Sequence, residues 1–235
     1  NGKHSFYIGT TPYFTIHSNG NVGISSTTPT EKLDVTGNIN FSATTSTTGM
    51  IKQDGVEILH TYGTSNLFVG YDAGNFTLTG QQNTAVGYQA MQNMTTGSYN
   101  TAFGLQALYT GNSSENSAFG RMALMYATGN YNVGVGNTSL GGTSFSGGSN
   151  VGIGKDAGRT LTTGSNNTFI GGAAGFNASQ LATATNSMAL GASAYTTASN
   201  QVVIGNTSIT ETLLNGKVGI GLGMSTLATA SLNLP

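Results

Sequence analysis

The chain has 235 residues, yet only 6% of them are charged, the net charge is −1, and there is no cysteine. A typical globular protein carries about 25% charged residues, so the composition is that of a special architecture. The balance of charge gives no footprint for nucleic acid or an anionic membrane. The missing cysteines exclude a disulfide framework and thiolate metal sites, and no run of about 18 apolar residues is present to span a bilayer.

Residues 1–65 read as an N-terminal module of β-hairpins. Phe14-Thr-Ile-His17 and Val22-Gly-Ile24 flank an Asn19-Gly20 turn, the strongest short hairpin signal. Leu33, Val35, Ile39 and Phe41 alternate around Thr36-Gly37-Asn38 and predict further short strands. A Ser/Thr linker follows at 42–48. Met50 to Leu59 reads as a second hairpin with Asp54-Gly55 at its tip.

Residues 66–205 repeat one phrase. It reads Asn66-Leu-Phe-Val-Gly70, Asn83-Thr-Ala-Val-Gly87, Asn100-Thr-Ala-Phe-Gly104, Asn116-Ser-Ala-Phe-Gly120, Asn132-Val-Gly-Val-Gly136, Asn150-Val-Gly-Ile-Gly154 and Asn167-Thr-Phe-Ile-Gly171. Two longer versions close the series, Asn186-Ser-Met-Ala-Leu-Gly191 and Asn200-Gln-Val-Val-Ile-Gly205. The closing glycines are 17, 17, 16, 16, 18, 17, 20 and 14 residues apart. Near-constant spacing means one structural unit per repeat. A unit this short cannot hold two helices and fits one coil of a parallel β-solenoid of about nine coils, an all-β fold. Stacked coils place equivalent residues about 4.8 Å apart, so nine coils make a rod of about 43 Å. At that spacing like charges repel by about 0.9 kcal/mol even in water, and this accounts for the scarcity of charge.

Strand side chains alternate. Val69, Val86, Phe103, Phe119, Val135, Ile153, Ile170, Leu190 and Ile204 precede the glycines and share one face, which is expected to be the dry interior. Thr84, Thr101, Ser117, Val133, Val151 and Thr168 share that face two places earlier. The position between is mostly Ala or Gly and is expected to face the other way, towards something that approaches closely. Glycine at the corner suits positive φ. Asparagine is the next best residue there, and its amide can bond along the stack. Gln89-Ala-Met91, Gln106-Ala-Leu108 and Met122-Ala-Leu124 offer a second apolar edge, and 176–185 is a candidate surface loop. One coil buries little, so sharing an axis with sister chains is expected, the Ala/Gly row and the Ala-Leu edge lining the shared core.

Residues 206–235 form a C-terminal β-module in which Leu214-Asn-Gly-Lys-Val-Gly-Ile-Gly221 echoes 18–24. The chain begins without methionine and reads as a fragment of something longer.

The phrases at 83–90 and 100–108 resemble the head repeats of trimeric autotransporter adhesins and the related repeats of phage tail fibres. Residues 186–191 are closest to the adhesin phrase. Residues 20–24 with 29–37 resemble a segment recurrent in phage tail-fibre proteins. The resemblance implies a left-handed β-roll, three chains wound into a homotrimeric extracellular fibre, and a role in attachment to a host or surface through a glycan or protein receptor. Adhesin heads repeat near 14 residues, which here only the last interval matches, so the longer coils favour a virion tail fibre or phage-like appendage over a bacterial cell-surface adhesin head. An ice-binding solenoid is a further alternative, although Ser117 and Val133 break the threonine row begun by Thr84 and Thr101.

No enzyme is expected and no cofactor. Asp54 and Glu57 flank one turn as solvated residues. Asp72 and Asp156 occupy equivalent places five coils apart, about 24 Å, too far to cooperate, and each is expected to cap its turn. His4, His17 and His60 could gather an ion only where chains meet on an axis, so no metal site is assigned. Gly152-Ile-Gly-Lys-Asp-Ala157 mimics a dinucleotide fingerprint without the helix that the chemistry needs. Tyr88, Tyr99, Tyr109, Tyr126 and Tyr131 are the candidate receptor contacts.

Overall fold

The computed structural model describes residues 2, 4–8, 11–142 and 145–215. All regular elements among them are β-strands. The first sheet has four: β1 (His4–Ile8), β2 (Thr11–Ile16), β3 (Val22–Ile24) and β4 (Leu33–Val35). β2 and β3 pair antiparallel with Ile16 opposite Val22, across a turn in which Gly20 has φ of 81°. Residues 39–41 form no strand.

The second sheet has eleven strands. It opens with the hairpin of β5 (Ile51–Gln53) and β6 (Val56–His60). Asp54 and Gly55 at its tip both have positive φ, 50° and 84°, the conformation that a two-residue type I′ turn requires. β6 then pairs antiparallel with β7 (Leu67–Val69). From there the sheet is parallel, with strands stacked in sequence order: β8 (Thr84–Val86), β9 (Thr101–Phe103), β10 (Ser117–Phe119), β11 (Val133–Val135), β12 (Val151–Ile153), β13 (Thr168–Ile170), β14 (Met188–Leu190) and β15 (Val202–Ile204). Register is kept from rung to rung: Ala85 lies opposite Ala102, Ala102 opposite Ala118, Ala118 opposite Gly134. The repeat is therefore a parallel β-solenoid of nine strands and eight turns.

The two faces of these strands are the reverse of the sequence expectation. The middle residue of each strand points inward: Phe68, Ala85, Ala102, Ala118, Phe169 and Ala189 are 0% exposed, and Gly134 and Gly152 are buried. The pre-glycine row points outward. Phe103, Phe119, Val135, Ile153 and Ile170 are 37–41% exposed and Ile204 is 55% exposed, while Val69, Val86 and Leu190 are half-buried. The physical reason is the width of the coil. The Ala-Met and Ala-Leu edges are not outer surfaces either: Met91, Leu108, Leu124 and Leu140 are buried within their own chain and fill the space opposite the small row. A coil this thin leaves little room beside the strand: Met91, Leu108, Leu124 and Leu140 occupy it, joined in some coils by one further large side chain such as Leu78, Met94 or Phe145.

The exceptions follow the same rule. Where the strand's middle residue is Phe68 or Phe169, the position six residues on is glycine. A Cβ on Gly74 would come within 2.3 Å of the Phe68 ring, and one on Gly175 within 2.3 Å of the Phe169 ring. Gly152 and Gly158 leave one level with no bulk on either wall, and there Leu140 of the coil before and Phe169 of the coil after take up the space, at 2.5 and 2.9 Å from a Cβ placed on Gly158.

Each coil turns a corner at the glycine and another just before the asparagine. Gly70, Gly87, Gly104, Gly120, Gly136, Gly154, Gly171 and Gly191 have φ of 112–137°, and a Cβ on Gly104 would lie 2.5 Å from the Gly120 carbonyl oxygen. At the other corner the residue before the asparagine takes positive φ, and Tyr99, Glu115 and Tyr131 are held there at 59–63°. The asparagine itself is buried and forms a ladder. Asn83 Oδ1 accepts from the Asn100 backbone N–H at 3.0 Å and from Asn100 Nδ2 at 3.1 Å, and Asn100 Nδ2 also donates to the Ser113 carbonyl at 2.8 Å. The pattern runs from Asn66 to Asn167, with Ser187 in the next place. Asn186 and Asn200 stand one residue outside it, on the exposed corner, bonded to each other at 2.8 Å. The stretch 176–185 is tied down: Gln180 is buried and exchanges hydrogen bonds with Thr196 at 2.8 and 2.9 Å. The C-terminal module expected over 206–235 falls outside the described residues from 216 onward.

Candidate interaction surface

The outer face of the solenoid sheet is the largest chemical feature of the molecule. Two rows run its length. One is Val69, Val86, Phe103, Phe119, Val135, Ile153, Ile170, Leu190 and Ile204. The other begins at Leu67, continues through Thr84, Thr101, Ser117, Val133, Val151, Thr168 and Met188, and ends at Val202. Eight steps at about 4.8 Å make the stripe about 38 Å tall. No residue of β7 to β15 is charged. Phe103 and Phe119 stack along it, centroids 5.5 Å apart with planes 8° from parallel. A contiguous exposed apolar stripe of this kind marks an interaction site rather than ordinary surface.

The two corners border the stripe. On the glycine side stand Tyr71, Tyr88, Leu105, Arg121 and Lys155, all exposed, and Tyr71 stacks on Tyr88 at 6.0 Å. On the asparagine side stand Gln82, Tyr99, Glu115 and Tyr131, also exposed. The five tyrosines singled out from sequence therefore separate. Tyr88 lies on one border and Tyr99 and Tyr131 on the other, while Tyr109 and Tyr126 are half-buried on the far arc of the coil. They do not form one patch.

The acids and histidines are dispersed too. Glu57 pairs with Lys52 at 3.1 Å. Asp156 takes Arg159 at 3.1 Å and Lys155 at 3.8 Å. Both Asp72 and Asp156 sit at positive φ in their turns, 56° and 58°. No group of three metal-ligating side chains exists among the described residues, and no helix among them is long and apolar enough to cross a membrane.

His60 closes the N-terminal end of the core. It is 3% exposed and lies between Phe68 and Phe76, ring centroids 4.7 and 4.6 Å away. Its Nε2–H donates to the Ala73 carbonyl at 2.8 Å, and Nδ1 accepts from the Tyr62 backbone N–H at 3.4 Å. Burial pushes its pKa below the usual value, against the opposing pull of the Ala73 carbonyl and Glu57. A cleft of about 280 Å³ beside it is lined by Glu57, Asp72, Asn75, Phe76 and Gln92 among others. Sequence reasoning missed this role. The signal available was a lone histidine at the junction of hairpin and first coil, followed by Phe68 and Phe76 within that coil.

No family model, curated protein or solved structure matches the chain.

Proposed function

We propose that this chain is a structural and adhesive segment of an extracellular homotrimeric fibre of the phage tail fibre or phage-like appendage type, giving rigid reach and attachment to a host or surface. One observation carries the reading: the uncharged, apolar outer stripe that a single chain leaves open to water. Sister chains around a common axis would cover it along its whole length, and the pre-glycine row would become the second core that the sequence led us to seek in the Ala/Gly row. The count of three rests on the resemblance of the repeats to trimeric adhesin heads and tail fibres, and so does placement on a virion or cell surface. The receptor, a glycan or a protein, would be met by the parts of the rod that assembly leaves open, such as the far arc of each coil, where Tyr109 and Tyr126 lie half-buried. No nucleic acid or inserted membrane segment enters this reading, and no catalysis.

The 14-residue coil between Gly191 and Gly205 favours a second reading, a bacterial trimeric adhesin head, because that is the adhesin repeat length. A membrane-anchor barrel encoded downstream in the same gene decides for it; neighbouring tail genes decide against it.

Sedimentation equilibrium tests the assembly. The chain should sediment as three copies. Phe103→Asp with Ile153→Asp should give monomers whose circular dichroism still shows β-structure, because both residues lie outside the chain's own core. A parent chain that is monomeric across the accessible concentrations would end the reading.

A further inference from the structure

Between Ala73 and Gly154 the sequence holds two charges, Glu115 and Arg121. They belong to one rung. Glu115 takes the corner before Asn116 and Arg121 follows Gly120, so they stand on opposite borders of the same strand, β10. Both are exposed. Neither makes an ion pair or a side-chain hydrogen bond within its own chain among the described residues; Glu115 contributes only its backbone N–H, to the Ser98 carbonyl at 2.9 Å. The solenoid's other basic residues, Lys155 and Arg159, are paired with Asp156.

Cyclic symmetry gives this placement a meaning. In a ring of identical chains around an axis parallel to the solenoid, one border of each chain meets the opposite border of the next. A pure rotation has no rise, so the borders that meet belong to the same rung. We propose that Glu115 of one copy clasps Arg121 of the next, at the same level, and that this charge pair fixes the register of the assembly. The inference rests on the homotrimer reading above. The adjoining rungs agree with it. The same rotation sets Tyr99 against Leu105 and Tyr131 against Asn137, an aromatic on an aliphatic and a phenol on an amide. A slip of one rung removes each charge from its counterpart. Glu115 would then face Leu105 or Asn137, and Arg121 would face Tyr131 or Tyr99. Stacked apolar rows tolerate such a slip, because Val, Phe and Ile substitute for one another along them. A lone pair of opposite charges does not. Pairs at the rim of an interface add little affinity but discriminate strongly between arrangements.

The test is a charge-reversal cycle on the whole chain, read as the dilution or denaturant midpoint at which trimers are lost. Glu115→Arg alone and Arg121→Glu alone each place like charges together at three seams. Each should weaken assembly by about tenfold or more at low salt, and less at high salt. The double reversal restores opposite charges and should return to within about threefold of the parent. Circular dichroism of each variant checks that the coils still form. Trimers indifferent to either single reversal, or a double variant as weak as the two singles combined, overturn the clasp and leave the fibre reading standing. A parent chain that never leaves the monomeric state overturns both.

Discussion

The inner and outer faces of one strand teach different lessons. In β9 the middle residue, Ala102, is sealed in, while Thr101 and Phe103 on either side of it face out. By hydrophobicity alone Phe103 belongs inside and Ala102 has no claim. Space decides otherwise. The interior level is already filled by Leu108 from the opposite wall, and the close packing of protein interiors leaves no room beside the strand for a second large side chain. The inner face is fixed by volume, and the outer face is free to be apolar because it is built for something else.

The sharpest way to break this comparison is to exchange the walls. Phe169→Ala should cost about 3–5 kcal/mol, as large-to-small core changes do. Gly175→Leu alone should also be severely destabilising, since its Cβ would overlap the Phe169 ring. The two together recreate the arrangement of Ala102 and Leu108. The backbone permits it, because Gly175 has φ of 66° and Leu108 already sits at 48°. The double variant should recover most of the loss, read as the midpoint of chemical denaturation. Additive losses would mean that volume is not what couples the walls.

Second in size is the asparagine ladder, which runs beside the inner face. Asn100→Ala strips the partner from the Asn116 backbone N–H and from the Ser113 carbonyl, while Asn83 Oδ1 keeps the residue-100 backbone N–H. Buried groups left unpaired cost about 1–3 kcal/mol each, so a loss of about 2–4 kcal/mol is expected in the same denaturation experiment. Leu105→Ala, on the outer border of the same coil, should change the single chain's stability by less than about 0.5 kcal/mol.

Much of the fold was legible before any coordinates. The spacing of the glycines gave the rungs, the Asn19-Gly20 and Asp54-Gly55 turns gave two hairpins, and the amide ladder followed from an asparagine at one place per coil. The direction of the strands was not. A period of two says which residues share a face and is silent on which face is inside. The pairing of Phe68 with Gly74 and of Phe169 with Gly175 held that information, but only as a relation between positions six apart. The asparagine takes the positive-φ corner itself only at Asn186 and Asn200; in the earlier coils the corner falls one residue before it, on Tyr99, Glu115 and Tyr131 among others, residues that offer no compositional hint of a turn. The interaction surface was legible as a row and misread as a core, because apolar side chains look alike whether a chain buries them in itself or in its copies.

A local, pH-dependent effect contrasts the two ends of the solenoid. At the C-terminal end β15 is the last described strand, with Val202 and Ile204 largely exposed. At the N-terminal end the hairpin of β5 and β6 covers the first coil, and His60 seals it. A neutral imidazole fits this seat, donating to Ala73 and accepting from Tyr62. A second proton would make Nδ1 a donor facing a donor, within a site that burial already sets against charge. Stacking against Phe68 and Phe76 offsets part of that penalty. Glu57, held by Lys52, favours the charged ring, and Asp72 lies across the same cleft. Because the folded pKa lies below the ordinary value of 6.5, the unfolded chain binds the proton first. The stabilisation is whole above that pH and drains as the pH falls through the lowered pKa, by no more than about 1.4 kcal/mol per pH unit for one group. Hydrogen exchange, corrected for the intrinsic rates, should show the amides of β6 and β7 opening sooner at low pH while those of β10 to β12 hold. His60→Gln keeps a donor for Ala73 and has no proton to gain, so its end of the rod should lose this acid sensitivity. If both proteins loosen equally there, His60 is only a filler and the cap is held by its aromatic neighbours.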